Sequence, residues 1–304
     1  MKLKVLAFGE VLWDKFGNTR EIGGAPFNFC AHLAKLGINS YSLTAIGDDD
    51  LGEETLKIID SLGVKTDFVR TVPYPTGTCI VTTDENGRPG YDLTQPAAWD
   101  YIEPYTELVN RSAAGEFNLF YFGTLALRSD TSFETLKCLV NTGSFEHIFC
   151  DLNLRQSFYS DEIIDFALKT ASILKINREE PRHLINNGFA DADNNDTERA
   201  QKYACRSLSE KYAIKLILLT LDKDGALIYD AGKDKFHSPS KPKSKAVSGV
   251  GAGDSFSACF IANFLSGVPT EECAERAILL SDYVVTKYGA VPDYPPELIR
   301  LITP

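Results

Sequence analysis

The chain has 304 residues, 44% of them hydrophobic and 24% charged, which is enough apolar material for a full core and excludes wholesale disorder. Lys plus Arg number 31 against 42 Asp plus Glu, a net charge of −11 that disfavours generic binding to nucleic acid or an anionic membrane. Seven dispersed cysteines without a Cys-x-x-Cys pair point to reduced thiols in a cytoplasm, and no apolar run reaches membrane-spanning length.

In chain order, Leu3–Gly9 reads as a buried strand: an apolar run closed by glycine, with Trp13 and Asp14 shortly after it. Gly23-Gly24-Ala25-Pro26 leads into a helix that Gly37 ends, with Phe29, Cys30, Leu33 and Leu36 as its apolar face. Tyr41–Ile46 is a second strand, followed by a helix from about Leu51 to Leu62. Thr66 to Asp100 differs. It alternates like short strands, shows no helical signal and carries the hairpin pair Asn86-Gly87 after Glu85. With Val11 to Ile22 it is expected to form a small β-sheet apart from the main body, placed to act as a lid.

The strand–helix rhythm then resumes. Asn118–Phe122, His147–Asp151, Ile173–Ile176 and Leu216–Leu221 read as strands. Helices are expected over Thr131–Asn141, with Thr131 and Glu134 as a capping box, then over Asp161–Thr170 and Thr197–Lys211. Short strands near Ala226–Tyr229 and Lys235–His237 precede three helices starting near Gly253, Thr270 and Pro296. This alternation implies a predominantly parallel sheet with helices on both faces, an α/β architecture that binds ligands beyond the carboxyl ends of its strands. The polar clusters sit at those ends: Asp14, Asp48, Asp151 to Arg155, Asn177 to Glu180, and Thr220.

One stretch stands out chemically. Val247 to Phe256 runs through Gly249, Gly251 and Gly253, then Asp254, then an apolar helical pattern. The first amides of a helix lack partners and favour an anion such as phosphate. A permanent carboxylate there would repel that anion, unless it takes the proton of a hydroxyl about to attack the phosphate. Asp254 read as a plain helix cap is the competing reading. No Walker A loop, dinucleotide fingerprint or protein-kinase motif set occurs.

Two motifs in this order, Gly23-Gly24-Ala25-Pro26-Phe27-Asn28 and Gly251-Ala252-Gly253-Asp254-Ser255-Phe256, with Asn177-Arg178-Glu179-Glu180 between them, resemble the ribokinase-like (PfkB) sugar kinases over nearly the whole chain. Gly9 to Asp14, Pro96 to Asp100, Gly123 to Arg128 and Asp151 to Arg155 are similar to the bacterial fructokinases of that family. The resemblance implies one ribokinase-like domain over 1–304. It would be a three-layer αβα sandwich with a small β-sheet lid from segments at about 11–22 and 66–100, which often also pairs two subunits.

The resemblance also implies roles. Asp254 would be the base, and the amides of Gly251, Ala252 and Gly253 the anion hole. Asp14, Gly24 and Asn28 would hold sugar hydroxyls. Arg155, and secondarily Arg128, would meet phosphate charge. Asn177 and Glu180 would place Mg2+ and the nucleotide phosphates, mostly through water. Thr220, Gly225, Gly253 and Ser281, with the Gly289-Ala290 turn, would line the ATP site. The reaction implied is phosphorylation of fructose. Ribokinase and 2-keto-3-deoxygluconate kinase are the neighbouring alternatives, and a degenerate, sugar-binding or regulatory protein without turnover is the third. Ser248-Gly249 stands where the family usually has Asp-Thr, whose Asp belongs to a K+ site, and Asp222 stands where a glycine is common.

Overall fold

The computed structural model describes residues 2–83, 89–193 and 195–303. Its strands and helices, in chain order, are β1 (Lys4–Phe8), β2 (Leu12–Phe16), β3 (Thr19–Gly23), α1 (Ala25–Lys35), β4 (Asn39–Gly47), α2 (Asp50–Ser61), β5 (Val69–Val72), β6 (Gly77–Thr83), β7 (Pro89–Leu93), α3 (Thr106–Ala113), β8 (Leu119–Gly123) and α4 (Asp130–Thr142). Then come β9 (His147–Asp151), α5 (Asp161–Thr170), β10 (Ile173–Ile176), α6 (Glu180–Asn186), α7 (Glu198–Tyr212), β11 (Leu216–Thr220), β12 (Ala226–Asp230), β13 (Lys235–His237), α8 (Ala252–Leu265), α9 (Thr270–Val284) and α10 (Pro296–Ile302).

The apolar runs build one sheet in the order β13-β12-β11-β10-β9-β8-β1-β4-β5. Pairing is parallel from β5 through β11 and antiparallel for the last two strands. Side chains alternate across it, because successive Cβ atoms point to opposite faces. Leu6, Phe8, Phe120 and Phe122 enter one core with Leu108, Leu136, Ile164 and Leu208 of α3, α4, α5 and α7. Val5, Ala7, Leu119 and Tyr121 enter the other with Phe29, Phe260, Ile278 and Ile302 of α1, α8, α9 and α10. Two apolar faces demand two helical layers, so the expected three-layer sandwich is the observed one. Each buried Phe or Leu contributes about 1.5–3 kcal/mol. All seven cysteines are free, and among the described residues no helix is long and apolar enough to cross a membrane.

A second sheet, ordered β3-β2-β6-β7, stands apart as expected, with β2 and β6 parallel. Its extent is narrower than the sequence suggested. Val69–Val72 pairs with β4 at the edge of the main sheet, and Ala98–Tyr101 is a 3-10 turn that buries Trp99 in the core. The expected turn at Glu85-Asn86-Gly87 lies outside the described residues. The capping box does not form: α4 starts at Asp130 with Ser129 as its cap residue, and no side chain caps it. Helices α3 and α6 were not anticipated; both are short.

The small sheet meets the main body tightly at Gly77. A Cβ there would lie 2.3 Å from Trp99 Nε1 and 3.0 Å from the Val11 carbonyl. Gly77→Ala is therefore expected to lower unfolding free energy by about 1–3 kcal/mol through overpacking, read from denaturant midpoints. An unchanged midpoint would contradict this packing.

Candidate functional site

The parallel strands of the main sheet deliver their last residues to one end of the molecule, where α1 and α8 also begin. Helix α8 starts after Gly251, whose left-handed φ of 78° and close approach to Ala290 (2.4 Å from a built Cβ to the carbonyl oxygen) admit only glycine. The amides of Gly251, Gly253 and Asp254 donate to no group among the described residues, while that of Ala252 turns back to the Gly249 carbonyl at a long 3.4 Å. The expected anion hole is thus open at two of its three amides. Asp254, in the first turn, accepts from Asn28 Nδ2 at 2.8 Å. Burial raises its carboxyl to about 6, against the opposing pull of the Lys175 ammonium and the Asn28 bond.

Asn28 comes from the first turn of α1. Gly24, at φ 111°, starts that helix hard against Glu10, for a Cβ there would sit 2.5 Å from the Glu10 carbonyl oxygen. Asn28 is buried, and its Oδ1 has no partner among the described residues. Asp14 lies on β2 opposite Cys79, with its Oδ2 filling the space that a side chain at Gly23 would need. Burial raises the Asp14 carboxyl and the Cys79 thiol opposes the shift. Arg155 is exposed beyond β9, and its charge acts on Glu10, Asp14 and Asp254 alike.

A residue not singled out from the sequence joins these groups. Lys175 on β10 is buried, and its ammonium donates to both oxygens of Asp151 at 2.8 and 2.9 Å. Its Nζ lies 3.1 Å from where a Gly253 Cβ would stand, so a cation sits against the first turn of α8. The signal was a lone lysine inside the apolar run Ile173-Leu174-Lys175-Ile176. Glu10, directly after Gly9, was also passed over, although a carboxyl in that position is 3% exposed.

The remaining expected residues divide. Asn177 Oδ1 accepts the amides of Glu179 and Glu180, and Glu180 returns Oε2 to the Asn177 amide at 2.7 Å and Oε1 to the Leu154 amide at 2.8 Å. Burial raises Glu180 to about 7. These two residues knit the strand ends together. Among the described residues no group of three acidic, His or Cys side chains is arranged to hold a metal. Glu180 gives both of its carboxylate oxygens to backbone amides.

Thr220 ends β11 with its hydroxyl toward the Ile176 carbonyl. Gly225 has φ 91° and closes the turn that holds Asp222, whose own φ is 51°. A left-handed residue explains why glycine suits position 222, and aspartate is among the few that tolerate it. Ser281 is buried within α9, its hydroxyl on the Ile278 carbonyl, and no described contact joins it to the other site groups. Arg128 donates to Asp100 at 2.8 Å and to the Thr94 carbonyl, and it is stacked on Trp99. Ser248 uses its hydroxyl on the Val250 amide.

The sequence profile of the pfkB family carbohydrate kinases matches residues 3–297. An ATP-dependent 6-phosphofructokinase of Thermoanaerobacterium thermosaccharolyticum is 24% identical over 314 residues, covering 97% of this chain and 91% of that protein. A fructokinase of Salmonella typhimurium is 27% identical over 265 residues, covering 83% and 80%. The structure of a Xylella fastidiosa fructokinase with bound ATP superposes with a TM-score of 0.83 at 20% identity, over 99% of this chain and 98% of that one. The fold is therefore the ribokinase-like one expected from the sequence.

Removing the buried cation leaves Asp151 uncompensated. Lys175→Met is expected to destabilise the protein by about 3–5 kcal/mol, measured by denaturant unfolding. A loss below about 1 kcal/mol would mean that the pair carries little.

Proposed function

Since the chain belongs to the pfkB family of carbohydrate kinases, we propose that it moves the γ-phosphoryl group of ATP to a hydroxyl of a neutral hexose, fructose, giving fructose 6-phosphate. The observation that carries this reading is the first turn of α8: a carboxyl held by Asn28 beside two open amides, with a buried ammonium against the same turn. Asp14, Asn28 and the Gly24 turn hold the sugar. Asp254 takes the proton of the attacking hydroxyl as its oxygen bonds to phosphorus and the bond to ADP breaks. The amides of Gly251 and Gly253, with Lys175, oppose the charge on the phosphoryl oxygens.

The nucleotide lies toward Thr220 and Gly225. Use of ATP is supported by the ATP-bound Xylella fastidiosa fructokinase of the same fold. Mg2+, when bound, would neutralise phosphate charge, and Asn177 and Glu180 are the residues that would help to hold it, through water. The small sheet closes over the sugar, and its exposed Phe16 and Ile80 offer a surface for a second copy. Ser248, a neutral residue, makes K+ activation weak or absent. The second reading is a sugar-acid kinase, such as one acting on 2-keto-3-deoxygluconate. The exposed Arg155 guanidinium favours it, since nothing among the described residues pairs with that cation.

ADP release from MgATP across fructose, glucose, mannose, ribose and 2-keto-3-deoxygluconate, with and without K+, is expected to be highest with fructose. Asp254→Asn is expected to lower kcat by about 10²–10⁴; full activity in that variant would remove Asp254 as the base. The base works as the carboxylate, so kcat/KM should fall as pH drops through about 6. An acid limb near 4 would show that burial does not tune this group.

A further inference from the structure

Glu10 has no part in the reaction as described, yet it is the most confined carboxyl near the sugar residues. It leaves β1 directly after Gly9 and packs under the start of α1. Its Oε1 accepts the Ala25 amide at 3.2 Å, while its Oε2 is buried without a partner among the described residues. Asn28, three residues along the same helix turn, gives Nδ2 to Asp254 and leaves Oδ1 buried and unpartnered as well. Once Glu10 is ionised, as at pH 8, its carboxylate and the Asn28 amide oxygen can only accept. Near the base, two buried acceptors thus lack donors among the described residues, and unmet buried acceptors are costly.

Charge points the same way. Glu10, Asp14 and Asp254 lie close enough to Arg155 for its charge to act on each. Lys175 is bound to Asp151 by both oxygens. Three carboxyls thus lie near one guanidinium that forms no ion pair among the described residues. Burial raises Glu10 to about 7 against the pull of its backbone hydrogen bonds and of Arg155, with Asp254 adding to the rise, so above that pH the group is a carboxylate.

We propose that Glu10 is a specificity-determining residue of the sugar pocket: its free oxygen, with that of Asn28, accepts hydroxyl hydrogens of a neutral sugar, and its carboxyl turns away sugars that carry a phosphate or carboxylate. Hydroxyls supply the missing donors. A second anion supplies none and meets like charge. The inference rests on the reading of this pocket as the sugar site and decides between its neutral and acidic substrate classes.

The test is calorimetric titration of the full chain at pH 8 with fructose, glucose, mannose, ribose, fructose 6-phosphate and 2-keto-3-deoxygluconate. The wild type, Glu10→Gln and Asp254→Asn are compared, with kcat and KM measured beside them. Glu10→Gln keeps an oxygen for the Ala25 amide and removes the charge. The wild type should bind its best neutral sugar about 100-fold more tightly than either anionic one. Glu10→Gln should weaken that neutral sugar about 10-fold in Kd and KM, leave kcat within about twofold, and narrow the discrimination against anionic sugars. A merely structural residue would depress every sugar alike. An unchanged Kd for the neutral sugar in Glu10→Gln, or equal wild-type affinity for an anionic sugar, overturns the inference. Should Glu10→Gln fail to fold, Glu10→Asp withdraws the free oxygen and is read by the same titration. Turnover by Asp254→Asn would refute the base alone, since binding reports on Glu10 without turnover.

Discussion

The ion pair between Lys175 and Asp151 is the constraint on which the site depends. It joins neighbouring strands β9 and β10 at their carboxyl ends and places a buried cation against the start of α8. A charge removed from water is tolerated only when paired and hydrogen-bonded, and both oxygens of Asp151 meet the ammonium. The pair also explains the glycine at 253. A side chain there would press on Nζ at 3.1 Å, so the backbone of α8 can lie over the lysine only where no Cβ intervenes. Sheet, ion pair and helix start are therefore one construction.

That construction solves an electrostatic problem. A protein of net charge −11 must attract the polyanionic end of a nucleotide and also keep a carboxylate beside it. The solution is local. Open amides at the start of α8, the buried lysine and the exposed Arg155 gather positive potential where the transferring group would lie, while Asn28 holds Asp254 from the opposite helix. Burial raises the Glu10, Asp254 and Glu180 carboxyls above the ordinary range.

Much of this was legible in the sequence, because it depends on short-range rules. Continuous apolar runs ending in polar residues marked β1, β8, β9, β10 and β11 and the end of the sheet where ligands bind. The glycines before Asp254 marked the helix start. What was not legible depends on contacts across the chain. Val69–Val72 alternates like a lid strand but is captured by β4. Arg128 reads as a free cation until Asp100 is found beside it, 28 residues away in sequence. Lys175 looked like one charge in an apolar strand because its partner lies on the adjacent strand. Asp222 looked like a loss of glycine, whereas its backbone is left-handed and its side chain faces Arg178 at 3.6 Å. The short α3 and α6 carry too few turns for periodicity to show.

The central claim is that a phosphoryl group passes from ATP to a sugar hydroxyl at the start of α8. The most direct measurement follows the group itself. The protein is incubated with magnesium, fructose and ATP labelled with heavy oxygen in its γ-phosphoryl group, and the sugar is then analysed by mass spectrometry. The expected result is a hexose monophosphate carrying the label, formed in step with ADP. Labelled inorganic phosphate, with no labelled hexose from fructose or any other sugar tried, would contradict it.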